Sequence, residues 1–148
     1  MSADLALSSI SDTAENRELL SRLSKLYEME HPVEWEGEFS DLFYKLMNAV
    51  DDLVYVGPVS YAKAAFTDDP YWIPGPIAGV MRVFGDVYKT KAATPAFAAE
   101  VLSAMNTADR SHYRHDHRNK YRRGPMPRRK VKQFFGRNVG KLVFLTVD

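Results

Sequence analysis

Apolar residues recur along this chain at two different periods, and each period predicts a different element. Leu19, Leu20, Leu23, Leu26 and Tyr27 fall on one side of a helix. Asp12 stands where that helix starts and Glu15 three residues on, the arrangement of a capping box. Glu18 and Arg22 are spaced to pair across one turn. The segment before it, residues 1–10, is small and polar and reads as a loose terminus.

After His31-Pro32 the period shortens. Val33, Trp35 and Phe39 alternate with Glu34, Glu36 and Glu38, which predicts a short edge strand or extended arm with an acidic outer face. Helical spacing then returns. Ser40 is placed as the cap of a second helix whose stripe is Phe39, Leu42, Phe43, Leu46, Val50, Leu53 and Val54, ended by Gly57-Pro58. A short helical turn is expected around 61–66, and three prolines stiffen a loop over 67–76. A third helix follows Pro76, with Ile77, Val80, Met81, Phe84, Val87 and Tyr88 on one face. Thr94-Pro95 supplies a cap and a first-turn proline for a fourth, striped by Phe97, Val101, Ala104, Met105 and Ala108.

From Asp109 the apolar period fades. Gly124-Pro125-Met126-Pro127 breaks any helix, and Pro127 opens a short one with Val131, Phe134 and Phe135 inward and Gly136 closing it. Residues 138–140 turn, and Leu142–Val147 is a strand rich in β-formers. The fold class expected from this pattern is mainly α: four to five helices around one core with a small β element from 33–39 and 141–147, and α+β as the alternative. Residues 1–108 form an acidic helical core, and 109–148 a basic helix, turn, short helix and C-terminal strand packed on the same domain.

Composition changes this picture little until the chain is divided. The 148 residues have a formal net charge of +1 and are 45% hydrophobic, as in an ordinary globular domain. Residues 1–90, however, hold 7 Lys+Arg against 15 Asp+Glu, and residues 91–148 hold 13 against 4, so the halves carry −8 and +9. Twelve of the basic residues lie between Asp109 and Lys141. Such crowding is unfavourable unless negative charge relieves it. The absence of cysteine excludes disulfides, thiolate metal sites and a cysteine nucleophile, and fits a reducing compartment. The longest apolar runs, such as Leu142–Leu145, reach only about five residues against the roughly 20 of a membrane span. The N-terminus shows no basic stretch followed by an apolar one, so a cytoplasmic location without membrane attachment is expected.

Read as a helix, 109–122 sorts into two stripes. Arg110, Arg114, Arg118 and Arg122 recur every four residues, and so do Tyr113, His117 and Tyr121. Guanidinium forks bind phosphate oxygens, and tyrosine stacks on bases. The expected anion or nucleic-acid site is therefore Arg110, Arg114, His117, Arg118, Lys120, Tyr121, Arg122, Arg123, Arg128, Arg129, Lys130 and Lys132. The blander alternative puts the tyrosines in the core and leaves the arginines as a solvated face. The arginine pairs around Gly124-Pro125-Met126-Pro127 loosely resemble extended minor-groove hooks, but the Gly-Arg-Pro core of that motif is missing, so no role is carried over.

Other constellations fail. His112, His115, Asp116 and His117 come near the zinc signature of metallo-β-lactamase-like hydrolases, but Arg114 stands where a histidine should be, and an arginine field repels a divalent cation. Gly136 to Lys141 mimics a phosphate loop one residue short, with Leu142 in place of Ser or Thr. No catalytic constellation, cofactor or metal site is expected. The leading reading is a non-enzymatic accessory protein that binds DNA or RNA with weak sequence preference. The alternative is a protein-binding modulator, or a subunit that self-assembles head-to-tail through its two charged faces. Its acidic contacts would be Glu34, Glu36, Glu38, Asp68 and Asp69, with Tyr71 and Trp72. Phosphodiester cleavage by His112, His115 or His117 with arginine clamps ranks third.

Overall fold

A computed structural model describes residues 2–28, 37–60, 75–115 and 128–147. In chain order the elements are β1 (Ser2–Ile10), α1 (Ala14–Glu28), α2 (Glu38–Ala49), β2 (Asp52–Ser60), α3 (Gly75–Phe84), β3 (Lys91–Ala92), α4 (Pro95–His115), α5 (Arg128–Arg137) and β4 (Leu142–Val147). The four strands form one antiparallel sheet in the order β2-β1-β4-β3. This overturns the mainly α expectation: among the described residues five helices pack with a four-stranded sheet, an α+β architecture.

The sheet is built around the segment expected to be a loose terminus. Leu5 to Ile10 of β1 are all at most 1% exposed, and so are Leu142 to Leu145 of β4. Successive strand residues point to opposite faces, so both faces of the sheet's centre are covered. The four-residue apolar run of β4 is the sequence mark of such a strand. β1 hides it, because Ala6, Ser8 and Ser9 interrupt the run of Leu5, Leu7 and Ile10. Small polar residues lack the drive to form a strand alone. Here β2 and β4 supply the ladder on either side, in registers running from Ser2↔Ser60 to Ser9↔Asp52 and from Leu5↔Val147 to Ile10↔Leu142.

A second correction concerns β2. The apolar spacing runs on through Leu53 and Val54 as if one helix continued, but α2 stops at Ala49 and Val50 is already extended. Period two then takes over: Val54 and Val56 are buried and Tyr55 is exposed. A 3.6-residue and a 2-residue period coincide over a few positions, and the β-branched valines settle the matter in favour of the sheet. Similarly, Val87 and Tyr88 are buried from a turn rather than from the helix. α3 ends at Phe84, Gly85 has φ +93° and Tyr88 φ +62°, and Tyr88 N–H donates to the Leu145 carbonyl at 2.9 Å.

Helix ends differ in detail. Thr13, not Asp12, caps α1, accepting from Asn16 N–H at 3.1 Å, while Asp12 binds Arg17. Arg22 pairs with Glu38 of α2 instead of Glu18. α2 starts at Glu38 after Gly37, with no side-chain cap, so Ser40 is inside it and 37–39 is not a strand. Residues 33–36 of the expected arm, the turn expected at 61–66 and most of the proline loop lie outside the described residues. The Thr94-Pro95 start of α4 is as expected, with Phe97 N–H donating to Thr94 Oγ1 at 3.1 Å. So is α5 with its buried Val131, Phe134 and Phe135, although it runs one residue past Gly136.

Candidate nucleic-acid interface

α5 is ten residues long and divides cleanly. Val131, Phe134 and Phe135 enter the core, where Phe135 meets Phe97 of α4 edge-on. Arg129, Lys130, Lys132, Gln133 and Arg137 are exposed, and Arg128 is half-buried. The helix carries no acid at all.

Its C-terminal end is tied down by a polar network that the sequence did not reveal. Asn138 is 1% exposed. Its Nδ2 donates to the Phe134 carbonyl at 2.7 Å and to Asp52 Oδ2 at 2.8 Å, and its Oδ1 accepts from Ser9 Oγ at 2.7 Å. Asp52 also accepts from Arg137 Nε at 3.0 Å and from Leu53 N–H at 2.9 Å. Burial pushes the Asp52 carboxyl up. The hydrogen bonds from Asn138, Arg137 and Leu53 and the Arg137 charge outweigh it and hold the group below the ordinary carboxylate range. Asp51 holds Lys141 at 3.3 Å and Ser11 Oγ at 3.2 Å. The adjacent acids Asp51 and Asp52 thus fasten the α5–β4 turn to the β1–β2 side of the sheet.

The N-terminal half of α5 has no such partners. Arg128, Arg129, Lys130 and Lys132 make no ion pair with a described residue, whereas Arg17, Arg22, Lys45 and Lys89 of the acidic half pair with Asp12, Glu38, Glu15 and Glu28. The positive end of a helix dipole favours acids in the first turn. α1 has Glu15 there and α2 has Glu38 and Asp41, but α5 opens with Arg128, Arg129 and Lys130.

One wall of α5 faces β2. Lys130, Gln133 and Arg137 line a cleft of about 310 Å³ together with Leu53, Val54 and Tyr55. Tyr55 belongs to an edge strand and is 53% exposed. The sequence pattern did not mark Tyr55, Gln133 or Arg137 as candidates. The period-two exposure of Tyr55 was the available signal, and it was masked by the overlap with helical spacing.

Of the other expected site residues, Arg110 and Arg114 lie on the final turns of α4, which runs to His115 and so carries the start of the basic stretch as helix. His117, Arg118, Lys120, Tyr121, Arg122 and Arg123 lie outside the described residues, as do Glu34, Glu36, Asp68, Asp69, Tyr71 and Trp72. Glu38 is in α2 and is engaged by Arg22. Among the described residues no group of acids and histidines is arranged to hold a metal, and no helix is long and apolar enough to cross a membrane. Comparison with family models, with curated proteins and with solved structures returns no match.

Proposed function

We propose that this protein is a non-enzymatic, cytoplasmic nucleic-acid-binding accessory protein, and that the outer face of α5 is the described part of its phosphate-binding surface. The observation that supports this best is the inverted first turn of α5: three cations on the positive end of a helix dipole, with no acid in that turn. That arrangement is unfavourable in the free protein, and a polyanion relieves it. The basic residues of 110–123 extend the same charge along the chain. Self-assembly through opposite faces is the second reading; of its expected contacts Glu38 is paired with Arg22, and the others lie outside the described residues.

The test is a salt titration of binding to duplex and single-stranded DNA and RNA, run beside a sizing column at two salt concentrations. If about half of the twelve basic residues touch duplex phosphates, log K falls with log[salt] at a slope of about −4 to −5. A slope shallower than about −1 overturns the reading. A salt-sensitive dimer without nucleic-acid affinity moves the self-assembly reading ahead.

A further inference from the structure

We infer that the cleft between β2 and α5 is a base-binding subsite for a single-stranded nucleic acid, with Tyr55 as its stacking platform; the inference rests on the polyanion reading above. Leu53, Val54 and Tyr55 are consecutive residues of one strand, and all three line the cleft. Side chains of consecutive strand residues alternate between faces, so a cleft that touches all three runs along the strand's edge. β1 occupies the other side of β2, and the cleft therefore lies on the outer edge of the sheet.

The opposite wall is a single helix face. Lys130, Gln133 and Arg137 are spaced three and four residues apart, which aligns them along the cleft. Their chemistry divides as a nucleotide's does. Lys130 is exposed and makes no ion pair with a described residue. Arg137 is held at Nε by Asp52, which fixes the guanidinium while its terminal nitrogens make no hydrogen bond to a described residue. Both supply phosphate contacts. Gln133 offers an amide that both donates and accepts, as a base edge requires. Tyr55 is an aromatic residue 53% exposed on an edge strand, and it lines the cleft together with Lys130 and Arg137. A positively charged groove beside an aromatic ring is the arrangement that binds single strands, whose bases are free to leave the stack. The cleft's volume, about 310 Å³, is at the small end of the range for small-molecule sites, which suits one base and not a duplex. A duplex keeps its bases inside the stack and meets only the cations.

The experiment measures fluorescence anisotropy of labelled strands about 12 nucleotides long, within the usual single-strand site size. It compares oligothymidylate, oligouridylate, a matched abasic strand and a DNA duplex. Tyr55→Ala should weaken both single strands about 5- to 100-fold, the effect of losing one stacked base, and leave duplex binding within about twofold. Tyr55→Phe, which keeps the ring, should restore most of the loss. The wild type should prefer the intact to the abasic strand, and Tyr55→Ala should lose that preference. Tyr44→Ala, an exposed tyrosine on α2, controls for folding and should bind as wild type. Comparing the two single strands tells DNA from RNA. Equal loss of single-strand and duplex affinity in Tyr55→Ala, or no loss in either, overturns the subsite. Unchanged steep salt dependence in that variant leaves the polyanion reading standing. Absence of binding by the wild type to every strand overturns both.

Discussion

α1 and α5 do the same work on their inner faces and opposite work on their outer ones. α1 buries Leu19, Leu20 and Leu23, and α5 buries Val131, Phe134 and Phe135. Outside, α1 follows electrostatic convention: Glu15 near its start, Lys25 near its end, and two arginines paired with neighbouring acids. α5 reverses the convention at its start and leaves four cations without a described counter-ion. Burial of the inner stripe secures each helix, so the outer face is free to hold charge that folding does not need. The position of α5 is secured independently at its other end, by Asn138 and Asp52. A crowded cationic turn is tolerable when its helix is anchored by aromatic burial and a satisfied polar network.

The largest expected effect breaks the inner face. Phe134 is fully buried, and Phe134→Ala should cost about 3–5 kcal/mol of stability, measured by urea unfolding. The cost arises from the burial that the ring provided and the cavity that its removal leaves. A value below about 1 kcal/mol would mean that α5 is not docked as described.

Next is the network. Asn138→Ala leaves Ser9 Oγ and the Phe134 carbonyl without their partner, at about 1–3 kcal/mol for each buried group. Adding Ser9→Ala should recover part of that loss, since removing both partners is cheaper than removing one. Simple additivity in this double-mutant cycle would count against the Ser9–Asn138 bond.

The outer faces are compared directly. Replacing Arg129, Lys130 and Lys132 together by alanine should alter stability by only about 0.5 kcal/mol per site or less. Nucleic-acid affinity should fall about tenfold or more, and the salt slope should become shallower by about one for each phosphate no longer neutralised. Arg17→Ala with Arg22→Ala removes two cations from α1 and should cost little stability, because both pairs are exposed to solvent, with little loss of binding. Equal loss of affinity in both variants would mean that total charge, not the α5 face, governs binding.

The smallest effect is a pH dependence. The Asp52 carboxyl is held below its ordinary value, so it stabilises the fold above the unfolded pKa of about 4 and loses that contribution as pH falls further. The stability difference between wild type and Asp52→Asn should therefore be constant above about pH 5 and shrink below about pH 4. Unfolding midpoints across this range would check it. A difference that stays constant down to about pH 2.5 would show that the charge on Asp52 contributes nothing.

Elements whose signals are local were legible in the amino-acid order alone. Thr94-Pro95 begins α4, the spacing of Val131, Phe134 and Phe135 turns α5 inward, and the β-formers of Leu142–Val147 mark a strand. The charge division was equally legible, since charge is a sum over residues and needs no fold. Features that depend on neighbours came only with tertiary context. Ser2–Ile10 is a strand because β2 and β4 complete its hydrogen bonds and the core covers its small side chains. Leu53 and Val54 leave the helical stripe because the edge beside β1 satisfies their backbone better than one more helical turn. The pairing of Asp51 and Asp52 with Lys141 and Arg137 joins residues some 85 to 90 positions apart. The meeting of Tyr55 with Lys130, Gln133 and Arg137 in one cleft joins residues 75 to 82 positions apart. No local pattern encodes such meetings; they follow from the sheet order, which brings β2 beside β1 and α5 against β2.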